Sequence, residues 1–121
     1  AEDDYFATAR LSRKQARDTA ISMLEEAKQD ENASEDVLNE AAETLQVLAG
    51  YTVAESQIEN LVVAKGYTDC VAFMGADSVS VVVSSPTELE AADVARIKDI
   101  VIAETDYTAG QIKIMEAGGT K

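Results

Sequence analysis

Twenty-three carboxylates and no imidazole define the chemistry open to this chain. Without histidine it lacks the side chain that titrates nearest neutrality and the commonest transition-metal ligand. One thiol, Cys70, lies in Asp69-Cys70-Val71-Ala72-Phe73, an apolar run that reads as a buried strand. A single cysteine forms no internal disulfide, and no cation beside it in sequence lowers its pKa, so a core role outweighs a reactive one. The carboxylates leave an acid pair or a hard-cation site as the cheapest chemistry. Asp30, Glu31, Asn32, Glu35 and Asp36 gather at one turn, and Ca²⁺ takes roughly six to eight oxygens. They lack the alternating ligand pattern of a calcium loop, however, and helix capping accounts for Ser34 and Glu35 without a metal. The chain carries no phosphate-binding Gly-rich loop, no paired Cys or His ligand spacing and no Gly-x-Ser-x-Gly turn. Neither an enzyme nor a cofactor or metal site is expected.

Charge narrows the partners. Ten bases against the acids leave a net charge of −13, which repels phosphate backbones and anionic lipid, so nucleic acid is excluded as a partner. Strong acidity also serves solubility alone. Against this background Arg10, Arg13, Lys14 and Arg17 form a basic band. It reads either as a solvated helix face or as a dock for an acidic partner surface, with Arg13 and Arg17 as candidate contacts.

These side chains must be positioned by a small set of elements. At 121 residues the chain fits one domain. Aromatics are only 5% with no Trp, so the core must be built of Val, Ile, Leu and Ala. Phe6, Ala9, Arg10, Arg13, Ala16, Ala20, Met23, Leu24 and Ala27 fall at three-and-four spacing, which predicts a helix from about Asp4 to Asp30. Asn32-Ala33-Ser34 breaks it, and Ser34 is the expected N-cap of a second helix running to about Lys65. That helix carries two apolar stripes, Leu38, Ala41, Leu45, Leu48 and Thr52, then Val47, Tyr51, Ala54, Ile58, Leu61 and Val62. At about 45 Å it outruns a small core. Either it bends near Gly50 or its halves face different surfaces. Lys65-Gly66-Tyr67 reads as a helix stop with Gly66 at C′.

The period then changes to two. Cys70–Met74 and Ser78–Ser84 read as strands joined by Gly75-Ala76-Asp77. Val79, Val81 and Val83 point to one face; Ser78, Ser80, Val82 and Ser84 point to the other, open one. A third helix, Ala91–Glu104, carries Val94, Ile97, Ile100, Val101 and Ile102 on its apolar side, with Thr87 as its expected cap, and a third strand covers Gln111–Met115. The expected fold is α+β, long N-terminal helices followed by a ββαβ unit, with a small three-stranded sheet covered by helices on one face. Residues 1–30 form the N-terminal helix, 31–116 the main domain and 117–121 a tail with Gly118 and Gly119. No apolar stretch approaches the roughly 20 residues of a membrane helix.

Several segments in one order carry a resemblance. Glu31-Asn32-Ala33-Ser34, then Glu59-Asn60-Leu61-Val62-Val63-Ala64-Lys65-Gly66-Tyr67, then Val79-Ser80-Val81-Val82-Val83, resemble the stage III sporulation protein AH family. So do Ala92-Asp93-Val94-Ala95-Arg96-Ile97-Lys98-Asp99-Ile100-Val101, Glu104-Thr105 and Gln111-Ile112-Lys113-Ile114. The first helix matches in character only. The resemblance implies a ring-building-motif fold, akin to ring components of type III secretion and flagellar basal bodies. It also implies a membrane anchor before Ala1, a place between mother cell and forespore, and a channel-like complex with a partner resembling stage II sporulation protein Q. A homo-oligomeric ring is a further implication. On this reading the chain is a structural interaction domain. Its partner face is expected at Asn60 and Lys65 and along the sheet at Val79, Ser80, Val82 and Ser84, with Arg13 and Arg17 secondary. A ring subunit of a related secretion system and a small ligand- or ion-binding regulatory domain are the rival readings.

Overall fold

A computed structural model describes residues 2–117, with side chains from Tyr5 onward; the expected tail at Gly118 and Gly119 lies outside the described residues. The chain runs α1 (Glu2–Gln29), α2 (Glu35–Ala64), β1 (Asp69–Met74), β2 (Val79–Ser84), α3 (Ala91–Glu104) and β3 (Ile112–Glu116). A single 3₁₀ turn at Ala109–Gln111 leads into β3.

Local chemistry explains the boundaries. Ser34 Oγ accepts from the Val37 amide at 3.2 Å, and Glu35 and Asp36 occupy the positive end of α2. In the turn before it, Asp30 Oδ1 accepts from the Asn32 amide at 2.9 Å. The oxygens of Asp30 and Ser34 at the carboxylate-rich turn thus serve the backbone. Lys65 ends α2 and Gly66 follows at φ +110°, a left-handed geometry that glycine adopts without a Cβ penalty. The third helix departs from expectation. Its N-cap is Glu90, not Thr87, and Asp93 Oδ2 reaches back to accept from the Glu90 amide at 2.9 Å. An acid at the third helical position satisfies the cap, so a hydroxyl further upstream is not needed.

The sheet order is β1-β2-β3. β1 and β2 are antiparallel, with Cys70 opposite Val83 and Ala72 opposite Val81. β2 and β3 are parallel, with Val79 beside Ile112 and Val81 beside Ile114, and α3 supplies the crossover that a parallel pair requires. One face of the sheet holds the main core. Ile58 and Val62 of α2 and Ile97 and Val101 of α3 pack there on Cys70, Ala72, Val79, Val81, Val83 and Ile112. Ile102 stays 41% exposed, one residue further round the helix than Val101.

The second face is not open as the alternation suggested. Phe6 and Ala9, near the start of α1, pack on Val71 and Val82. Val82 and Ser84 are therefore buried, at 6% and 2% exposure. A period of two distinguishes the two faces of a strand but not whether a distant helix covers either.

Gly50 lies inside an uninterrupted α2, so the two stripes are resolved by packing. Among its described residues only Ala41 is buried in the first half, whereas Glu55, Ile58 and Val62 are buried in the second. α1 and α2 form an antiparallel hairpin whose far half projects past the sheet, because only the second half of α2 has a sheet to cover.

Candidate interaction site

The basic band of α1 is neither a solvated face nor a free dock. β1 is a terminal strand, and its residues 70, 72 and 74 turn their peptide groups away from β2. Arg10 Nη2 donates to the Cys70 carbonyl and to Asp69 Oδ1, both at 2.6 Å. Arg13 Nη1 donates to the Ala72 carbonyl and to Glu59 Oε2, also at 2.6 Å. From α2, Glu59 Oε2 accepts from the Ala72 amide at 2.9 Å and Glu55 Oε2 from the Met74 amide at 2.8 Å. Asp69 Oδ1 accepts from the Cys70 amide at 2.8 Å. Side chains from two helices, with Asp69 of β1 itself, thus occupy the positions that a neighbouring strand would fill, so β1 does not template another chain.

Arg17 completes the ladder, donating from Nη1 to Glu55 Oε1 at 2.6 Å and from Nη2 to Glu55 Oε2 at 3.1 Å. Glu55 has no solvent exposure, and its charge is compensated by Arg17, by Arg13 Nε at 3.6 Å and by the Met74 amide. The hydrogen bond to Glu55 holds the Arg17 guanidinium above its usual pKa, and the one to Asp69 does the same for Arg10. Lys14 alone of the band faces solvent, paired with Asp18 at 2.6 Å on its own helix. Arg13 and Arg17, expected as partner contacts, thus commit their guanidinium groups to acids of the same chain. Sequence held a signal for the ladder. In an antiparallel hairpin, arginines at 10, 13 and 17 fall opposite acids at 55 and 59, with Arg17 level with Glu55 and Arg13 level with Glu59.

The expected partner residues separate. Asn60 and Lys65 are exposed at the end of α2, Ser80 is half-buried, and Val79, Val82 and Ser84 are buried. Val79 lies in the main core and Val82 beneath α1, so the structure brings no surface together from β2. What it presents instead is the outward side of α2. From Thr44 to Ala64 the only charged residues are Glu55 and Glu59, and both turn inward to the ladder. Val53, Leu61 and Val63 are exposed there around Asn60. On a chain of −13 this is a long uncharged surface. The other free element is β3, beyond which no strand lies among the described residues.

Little else invites chemistry. Burial pushes the Cys70 thiol up to about 12, far from the thiolate that reactivity requires. A shallow cleft lined by Tyr51, Met74, Glu104, Asp106 and Tyr107 is closed at one side by the Tyr107 hydroxyl, which donates to the Gly75 carbonyl. At the far end of β1, the Tyr67 hydroxyl donates to Asp93 Oδ1 at 2.6 Å and accepts from Arg96 at 2.8 Å. No described helix is long and apolar enough to cross a membrane.

The fold has solved counterparts. The chain matches a structure of the SpoIIQ-SpoIIIAH pore-forming complex at TM-score 0.79 and 20% identity, covering 93% of this chain and 98% of that one. It also matches the type III secretion system protein EscJ of enteropathogenic E. coli at TM-score 0.54 and 24% identity, covering 83% of this chain and 68% of that one. At these identities the likeness is one of fold, a ring-building motif of three helices and a three-stranded mixed sheet. No curated protein matches the sequence. The model of the SpoIIIAH-like protein family matches residues 1–114, a span that takes in α1 and reaches into β3, and the chain belongs to that family.

Proposed function

We propose that this chain is a non-catalytic assembly domain of a channel-like sporulation complex, placed on the extracytoplasmic side of the mother-cell membrane and joined to a forespore partner resembling stage II sporulation protein Q. The uncharged outward face of α2 carries the reading. Protein interfaces exclude charge from their centres, and this face combines exposed Val53, Leu61 and Val63 with the amide of Asn60 in a chain otherwise rich in surface acids. Family membership and the fold shared with a structure of the SpoIIQ-SpoIIIAH complex support the same partner class. Lys65, at the end of that helix, lies at the rim, where a charge affects encounter rate more than residence time.

The isolated domain stays monomeric or weakly associated at micromolar concentration, because copies at −13 repel and a membrane supplies the effective concentration for a ring. Calorimetry against the soluble domain of the same organism's partner tests the reading. Val53→Glu with Leu61→Glu weakens binding at least tenfold, while Met115→Glu on β3 leaves it within about threefold. Unchanged affinity in the α2 double variant overturns the proposal. A closed ring of the isolated domain at low micromolar concentration in sedimentation overturns the account of its assembly.

A further inference from the structure

The projecting half of the α1–α2 hairpin forms a second surface, separate from the outward face of α2. Two helices alone bury only a narrow seam. Here Ile21, Leu24, Leu38, Leu45 and Leu48 remain half-buried, although each sits at seam spacing. Where the hairpin leaves the sheet it overhangs the end of β1, and a concavity opens between them. Its apolar lining comes from Ala16, Ala20, Leu48, Phe73 and Met74. Arg13 and Arg17 line it too, and their guanidinium groups are engaged by Glu55 and Glu59.

The apolar strip continues outward along both helices. On α1, Ala16, Ala20, Met23 and Ala27 share one face by spacing, and Met23 is 65% exposed. On α2, Val47 is 48% exposed. Between positions 16 and 27 the strip is about 17 Å long, the span of roughly three helical turns. Its charge is one-sided. Residues 19–48 hold Glu25, Glu26, Asp30, Glu31, Glu35, Asp36, Glu40 and Glu43 against Lys28 alone, a net −7 out of −13 for the whole chain. Glu40 and Glu43 stand at i, i+3 and Val47 at i+7, on one face of α2.

From this arrangement we infer that the notch docks an amphipathic helix of a partner protein. Its apolar stripe lies against Ala20, Met23, Val47 and Leu48, and its Lys or Arg residues face the acidic end of the hairpin. A third helix would give the half-buried leucines the layer that two helices cannot supply, and the acids select for a basic one. A second copy of this chain does not fit that description. The basic residues of α1 from Arg10 to Arg17 are already paired with acids of the same chain, and its other helices carry an excess of acids.

The test uses a short amphipathic Leu/Lys peptide helix, with its Leu/Glu counterpart as control, followed by amide chemical shifts and calorimetry. The Leu/Lys peptide binds and shifts resonances around Ala20, Met23, Val47 and Leu48, and its affinity falls with salt. Met23→Glu with Val47→Glu, both at exposed positions, weakens this binding at least tenfold. Ile102→Glu with Met115→Glu adds the same charge at exposed positions away from the notch and does not weaken it. Because added acids alone would attract the peptide, a loss from the first pair reports the notch itself. Shifts spread over all acidic surfaces, equal binding of the Leu/Glu peptide, or wild-type affinity in the Met23/Val47 variant overturns the proposal. None of these results bears on the outward face of α2, which is tested against a different partner by a different pair of variants.

Discussion

β1 and β3 are both terminal strands of one small sheet, and the chain treats them differently. β1 is held between two helices whose Arg and Glu side chains occupy its outward amides and carbonyls. β3 is held through β2 and α3, and at its end Glu116 Oε1 accepts from the Leu89 amide at 3.3 Å, tying down the connection into α3. No strand lies beyond it among the described residues, and Met115 remains 46% exposed. An edge next to long helices can be closed by side chains without lengthening the sheet. One reached only through a crossover has no such helix alongside. Unwanted strand pairing is thus suppressed at β1 by side chains, whereas the outer side of β3 carries no such closure among the described residues.

Four measurements test this contrast. The largest effect belongs to Glu55→Ala, which leaves Arg13 and Arg17 short of their shared partner and the Met74 amide without its acceptor. Breaking a buried ionic network on one side costs about 3–5 kcal/mol, so denaturant midpoints drop sharply and Cys70 becomes open to alkylation under conditions that protect it in the parent. A stability change under about 1 kcal/mol would mean that the ladder is incidental to the edge. Arg13→Ala comes next. It removes one donor to the Ala72 carbonyl and one partner of Glu59, an expected loss of about 2 kcal/mol, and it accelerates exchange of the Ala72 amide relative to those of β2. Equal acceleration in β1 and β2 would show global unfolding in place of an opened edge.

Tyr67→Phe gives a smaller effect and separates acid sensitivity from the ladder. The Tyr67 hydroxyl and the Glu90 amide hold the Asp93 carboxyl below its usual pKa. A depressed carboxyl contributes stability at pH above its unfolded value of about 3.9, and that contribution is lost as pH falls through the lower folded value. The variant therefore shows a flatter stability profile below about pH 4, and an unchanged slope would remove Asp93 as its source. The smallest effect is that of Met115→Glu on β3, within about 0.5 kcal/mol in thermal melts. A large loss there would mean that β3 is packed and closed like β1.

Much of the architecture was readable in residue order. Ser34, Gly66 and the change of period after Tyr67 mark boundaries because caps and pleats depend on near neighbours. The core face of β2 followed from Val79, Val81 and Val83 for the same reason, and the segments around Asn60-Leu61 and Ile97-Lys98 carried the family. Thr87 misled because an acid inside the helix, Asp93, caps as well as a hydroxyl before it.

Sequence alone, then, determined element order, the principal core face, the absence of histidine chemistry and the acidic balance, all of which depend on composition or on spacing within a few residues. Tertiary structure decided the fate of the charges. Arg10 and Arg13 look like surface cations until α1 lies along β1, 59 residues away in sequence for the Arg10–Asp69 and Arg13–Ala72 bonds. Val82 looks outward-facing until Phe6 packs on it. An alternating pattern or a basic band specifies only that a side chain projects from its element. Which distant element meets it depends on the hairpin turn at Asp30–Ser34 and on the overhang of α2, because a helix longer than the sheet it covers must place its remaining surface somewhere else.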